Sequence, residues 1–130
     1  MKKISTILLI SLLVISCTTI KNVDSKNQKN VSTDNTYGYT EKNPIKVGGV
    51  ENGPLNELKY LKSLTGPNGE KVTYVRRGSC CEFSTKKSPF GTGLLDIYSI
   101  TYEGKEDSVM LYLNMYEKST LKAPVGFKMK

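Results

Sequence analysis

The sequence predicts an α+β fold, a single small domain with one main helix packed on a mostly antiparallel sheet of about four to five strands. Three observations predict it. Leu55, Leu58, Leu61 and Leu64 recur at helical spacing between a Gly53-Pro54 start and a Gly66-Pro67 stop. Leu94 to Tyr102 and Val109 to Tyr116, rich in aliphatic, β-branched and aromatic residues, flank a five-residue polar loop, Glu103 to Asp107. Finally, 130 residues are too few for a (β/α)8 barrel, which takes roughly 200 or more, or for a two-domain nucleotide enzyme.

The first strand signal is Asn43 to Gly49. Pro44 biases Asn43 to an extended backbone, Ile45 and Val47 alternate, and Gly48-Gly49 ends a short edge strand. The helix is expected over 54–65, with its Leu stripe on the core and Glu57, Lys59 and Lys62 at other angles. Pro67-Asn68-Gly69-Glu70 is a turn, after which Lys71 to Arg77 alternates as a strand. Gly78 to Phe83 follows directly, then a polar, flexible loop through Gly93. For the hairpin, the favoured register pairs Thr101 with Val109, Ser99 with Leu111, Ile97 with Leu113 and Leu95 with Met115. It makes one face almost wholly apolar, and a one-residue slip would mix the two faces. The helix should then cover Leu95, Ile97, Leu111, Leu113 and Met115. Asp96, Tyr98 and Ile100 would lie on a half-exposed face with Met110, Tyr112 and Asn114. Ala123 to Met129 adds a short edge strand that starts at Pro124.

Residues 1–16 read as a secretory leader: Met1-Lys2-Lys3 is basic, and Ile7 to Ile15 is apolar apart from Ser11. Nine helical residues span about 14 Å, roughly half of a ~30 Å hydrocarbon core, so the run is too short to serve as a membrane anchor. Val14-Ile15-Ser16-Cys17 resembles the bacterial lipobox, which implies cleavage before Cys17 and lipidation of that residue. The alternative is an ordinary secretory leader that contains Cys17, but no Ala-x-Ala site follows. Two or three acyl chains hold a small domain permanently at a bilayer where one holds it marginally. The residue after Cys17 is Thr18 and not Asp, which by the same resemblance favours the outer membrane. Residues 17–36 are rich in Asn, Ser, Thr and Lys with only Ile20, Val23 and Val31 as bulky aliphatics, and are expected to form the lipidated start and a flexible tether. The globular domain is then 37–130.

Charge and composition exclude several function classes. The absence of His removes Ser-His-Asp and Cys-His nucleophile systems and zinc-histidine hydrolases. The chain carries 19 Lys+Arg against 12 Asp+Glu, and loss of Lys2 and Lys3 with the leader lowers the net charge from +7 to +5. That excess is diffuse. Nucleic-acid binding needs a clustered stripe with interleaved aromatics, so no nucleic acid is expected, whereas attraction to anionic head groups is open.

With Cys17 lipidated, Cys80 and Cys81 are the remaining thiols. Adjacent residues on a strand face opposite ways, so the simplest reading is one thiol in the core and one nearer the surface. In an oxidising compartment the pair can instead close on itself. Adjacent Cα atoms, about 3.8 Å apart, lie below the usual disulfide span of about 4.4 Å or more, so such a bond is labile. A third reading is soft-metal capture with a ligand from elsewhere; no CxxC spacing supports a closed zinc site, and neither metal nor cofactor is expected. Arg76 and Arg77 upstream could lower a thiol pKa or hold an anion, or could simply form a solvated rim with Lys86 and Lys87. Asp96, between apolar neighbours, is the carboxylate to examine for burial.

A wider resemblance runs through Tyr37-Gly38-Tyr39, Asn43-Pro44-Ile45-Lys46-Val47-Gly48-Gly49, Leu64-Thr65-Gly66-Pro67-Asn68-Gly69-Glu70, Gly78-Ser79-Cys80-Cys81, Gly93-Leu94-Leu95-Asp96, Leu113-Asn114-Met115-Tyr116 and Leu121 to Phe127. Over nearly the whole mature domain the chain resembles a family of small Bacteroidota lipoproteins of uncharacterised function. Some members carry the name 2-dehydro-3-deoxyphosphooctonate aldolase, which implies chemistry on a phosphorylated sugar acid. No catalytic residue carries over. The expected function is therefore a lipid-anchored binding or accessory component of the cell envelope, using the loops around Gly78 to Phe83 and Ser88 to Gly93 on an envelope protein or anionic ligand. The alternative is a small enzyme, either thiol-redox through Cys80 and Cys81 or the aldolase of that name.

Overall fold

A computed structural model describes residues 30–130, so the leader, Cys17 and the first part of the tether lie outside the described residues. The fold is α+β. In chain order the elements are β1 (Ile45–Lys46), a 3-10 turn at Val50–Asn52, α1 (Gly53–Ser63), β2 (Leu64–Thr65), β3 (Val72–Ser84), β4 (Thr92–Tyr102), β5 (Val109–Asn114) and β6 (Lys128–Met129). The main sheet has the order β1-β5-β4-β3, with β1 parallel to β5 and the other pairs antiparallel, while β2 and β6 form a separate antiparallel pair.

Pro54 occupies the first turn of α1, where its missing N–H costs nothing. The helix stops two residues short of the expected 65 because Leu64 swings to φ −78°, ψ 148° and enters the pairing of Leu64 with Met129 and Thr65 with Lys128. The expected Leu stripe is only half buried. Leu61 and Leu64 are in the core, but Leu55 and Leu58 are 51% and 37% exposed. The buried face runs instead through Gly53, Glu57, Tyr60 and Leu61. Gly53 sets this face: a Cβ there would come within 2.6 Å of the Met115 sulfur, so the first turn lies hard against the chain beyond β5.

The hairpin register also differs from expectation. Asp96 pairs with Leu113, Ile97 with Tyr112, Tyr98 with Leu111, Ser99 with Met110 and Ile100 with Val109. Relative to the expected register, β5 keeps its face while β4 is turned over. Asp96, Tyr98 and Ile100 therefore share the helix-covered face with Leu111 and Leu113. The main core joins Tyr98, Ile100, Leu111 and Leu113 to Tyr60, Leu61, Leu64, Ile45, Val47, Ala123 and Phe127. Leu95 is buried too, but outside that cluster.

The folded domain begins earlier than residue 37. Val31 bridges Ala123, with the Ser32 N–H donating to the Ala123 carbonyl at 2.8 Å and the Ala123 N–H to the Asn30 carbonyl at 2.7 Å. The Asp34 carboxylate accepts from the Thr36 N–H at 2.8 Å and from Asn43 Nδ2 at 2.9 Å, tying residues 34–36 to the approach to β1. The expected tether through residue 36 is therefore corrected over 30–36, where Val31 packs against the core and the polar residues satisfy backbone groups. Gly38 follows at φ +81°, and a Cβ there would meet Ile45 Cδ1 at 2.7 Å, so this close approach needs glycine on both counts.

Candidate functional site

The site forms where β3 departs from a regular strand. On a regular strand Arg76 and Ser79 would face opposite sides of the sheet. Here the register steps from Arg76 opposite Tyr98 to Gly78 opposite Ile97, leaving Arg77 without a partner on β4, and the extra residue returns Ser79 to the face of Arg76. Gly78 meets the bulge with φ +144°. Asp96, directly opposite Ser79, then receives both side chains. Arg76 Nε donates to Asp96 Oδ2 at 3.1 Å and Nη2 to Oδ1 at 2.8 Å, a two-pronged grip on one carboxylate. Arg76 Nη2 also donates to Ser79 Oγ at 2.7 Å, and the Ser79 hydroxyl donates to Asp96 Oδ1 at 2.6 Å.

Beneath this pair lies Glu57 of α1, with no exposed surface. Tyr98 on β4 donates its hydroxyl to Glu57 Oε2 at 3.0 Å, while Oε1 has no donor. Burial pushes the Glu57 carboxyl up to about 8, the Asp96 charge adds to the rise, and Tyr98 and Arg76 oppose it. Burial pushes Asp96 up as well, but the hydrogen bonds from Arg76 and Ser79 and the Arg76 charge outweigh it and hold Asp96 below the usual carboxylate range. The Tyr98 phenol is raised by burial and by Glu57. Two neighbouring carboxyl groups are thus driven in opposite directions, Glu57 toward the neutral acid and Asp96 toward the anion.

A second bulge follows. Cys80 is opposite Leu95 and Phe83 opposite Gly93, so Cys81 and Glu82 together face the single residue Leu94. Cys80 and Cys81 are joined as a disulfide with Cα atoms 3.7 Å apart. Cys81 has φ +62°, the one left-handed non-glycine backbone among the described residues, at a cost of roughly 1–2 kcal/mol. Both residues are half-buried. The reading of one packed and one surface thiol is replaced by the closed pair, and neither sulfur in this form is a thiolate able to take a soft metal. Among the described residues no three of His, Cys, Asp and Glu converge.

The structure thus brings Arg76, Asp96, Cys80 and Cys81 into one stretch of the β3–β4 ladder. Arg76 is occupied by Asp96 and not by a thiol, and Arg77 stands exposed on the first bulge. Asp96, singled out for its apolar neighbours, is 3% exposed. Sequence reasoning missed Glu57, Ser79 and Tyr98. Glu57 had one usable signal, its position four residues after Gly53 and four before Leu61, on the face where the helix packs closest.

Compared with protein-family models, curated proteins and solved structures, the chain matches none.

Proposed function

We propose that the protein is an exported lipoprotein, anchored to the membrane through acylated Cys17 and most compatible with the outer membrane, whose domain binds an envelope partner or anionic ligand. The observation that carries this reading is the run from Lys2-Lys3 through the apolar stretch to Val14-Ile15-Ser16-Cys17. The resemblance to small Bacteroidota lipoproteins supports the same reading. Among the described residues no helix is long and apolar enough to cross a membrane.

The site favours binding over catalysis. Asp96 is neutralised by Arg76, Glu57 has no path to solvent, and the two sulfurs are closed on each other. The loop after β3 offers a contact surface. It is stiffened by the Thr85 N–H donating to the Gly91 carbonyl at 3.0 Å and by the Phe90 N–H donating to Ser88 Oγ at 3.2 Å. At its tip Phe90 is 88% exposed beside exposed Lys86 and Lys87. An open depression of about 360 Å³ adjoins it, lined by Lys87, Lys118, Tyr116 and Glu51, two cations against one carboxylate, a balance that leaves one positive charge for an anionic group. Replacing Cys17 with Ser is expected to move the protein from the membrane to the soluble fraction and abolish incorporation of labelled palmitate. Retention on the membrane without acylation would contradict the anchor.

The closed Cys80–Cys81 pair favours a second reading, thiol–disulfide exchange. A dithiol reductant would open the ring, leaving Cys80 and Cys81 as thiols and the reductant as a disulfide. Thiols trapped before lysis and followed by intact mass are expected to show these two lighter by two hydrogens and unalkylated until a dithiol is added. Two alkylated cysteines in protein taken directly from cells would count against both the bond and the exchange.

A further inference from the structure

We propose that Glu57 and Asp96 form a buried proton-binding site, one proton held between two carboxyl groups, which clasps α1 to the β3–β4 face beside the Cys80–Cys81 bulge and loosens when that proton leaves. Glu57 has no exposed surface, and its Oε2 is already satisfied by Tyr98. Its Oε1 finds no hydrogen-bond partner, and Asp96, buried two residues before Tyr98 on the same face of β4, is the polar group beside it and itself an acceptor. Two facing acceptors become a hydrogen bond only when one of them carries a proton. Asp96 already takes three hydrogen bonds from Arg76 and Ser79, which all favour its anion, so the proton resides on Glu57 Oε1 and is donated to Asp96.

The charged and titratable groups that face Glu57 are Asp96 and Tyr98 from β4 and Arg76 from β3. Arg76 favours an ionised Glu57, but its guanidinium is committed to Asp96 and half in water. Loss of the proton would leave two anions side by side under the helix, with the one nearby cation, Arg76, bonded to Asp96 alone. The ordinary Glu value of 4.5 rises to about 8 in the fold. Between those values the folded chain binds one more proton than the unfolded chain. Stability from this site is complete below about 4.5, falls as pH rises, and levels off above about 8.

Equilibrium unfolding of the full chain by urea from pH 5 to pH 9 tests this. The folding constant is expected to drop about tenfold per pH unit up to about pH 8 in the wild type. In Glu57→Gln, whose amide can donate to Asp96 and accept from Tyr98 without ionising, that slope should vanish. Carbon-13 NMR of the Glu57 carboxyl supplies a reading that needs no variant, with the protonated signal persisting through pH 7 and disappearing above pH 8. A wild-type stability flat between pH 5 and 8, a slope retained in Glu57→Gln, or a Glu57 carboxyl titrating near 4.5 would overturn the shared proton.

Discussion

Replacing Asp96 with alanine is expected to cost the domain about 3–5 kcal/mol at pH 6, a large share of the roughly 5–15 kcal/mol that stabilises a domain of this size. Asp96 accepts three hydrogen bonds from Arg76 and Ser79 at its outer side, while the two carboxyl groups of Asp96 and Glu57 are themselves buried. The loss falls unevenly on its partners. Arg76 is half exposed and Ser79 is exposed, so both recover water, whereas Glu57 keeps a buried proton with no acceptor. Arg76→Ala leaves the buried Asp96 anion without its cation, so it should cost a similar amount, about 2–4 kcal/mol. Arg77→Ala should stay within about 0.5 kcal/mol, because its side chain is an exposed bulge residue. Asp96 titrates below its ordinary 3.8, so its contribution is complete above that value and is lost as pH falls through the lower, folded one. Wild-type and Asp96→Ala stabilities should accordingly converge on acidification. Denaturant titrations of the three variants check the ranking, and an Asp96→Ala loss no larger than that of Arg77→Ala would remove the cluster's structural role.

The contrast between Arg76 and Arg77 shows where sequence patterns stop being informative. In the sequence both arginines stand equally close to the cysteines, and nothing separates them. Separation comes from the bulge at Arg77, which rests on Gly78 accepting a conformation that other residues avoid, and a glycine inside a strand pattern marks such an irregularity without saying how far it shifts the register. The helix was legible from its Leu spacing and its Gly-Pro punctuation, yet its buried face was not, since a carboxylate at position 57 counts as outward on any hydropathy scale. Only the partners Tyr98 and Asp96, forty residues away in sequence, make that burial tolerable. Residues 30–36 misled in the same manner. Their composition is that of a tether, but one aliphatic, Val31, meets Ala123, and the polar side chains cap their own backbone. For the cysteines, adjacency alone left packing, bonding and metal capture open, and the left-handed bulge at Cys81 is a feature that composition does not carry.

Ile100→Ala is expected to destabilise the domain by about 2–5 kcal/mol, and Ile97→Ala by about 1 kcal/mol, an order that separates the two possible registers of the β4–β5 hairpin. An apolar count over the pair favours a core of Leu95, Ile97, Leu111, Leu113 and Met115, which would leave Ile100 outward beside Met110. In the structure Ile100 has no exposed surface and pairs with Tyr74 on β3 and Val109 on β5, while Ile97 is half-buried opposite Tyr112 on the other face. The count fails because it treats Asp96 and Tyr98 as solvent-seeking, when each has a partner waiting under the helix. Tyr98 adds a large aromatic surface to the core, stacks edge-on with Tyr74 at 6.4 Å and hands its hydroxyl to Glu57. Asp96 is held by Arg76. Once those polar atoms are satisfied, the Asp96, Tyr98 and Ile100 face buries as favourably as its apolar rival, and the close fit of Gly53 on Met115 draws the helix over it. Urea denaturation of both alanine variants decides between the registers: a larger loss for Ile97→Ala would mean that β4 presents its other face to the helix, and the carboxyl pair would then have no place to form.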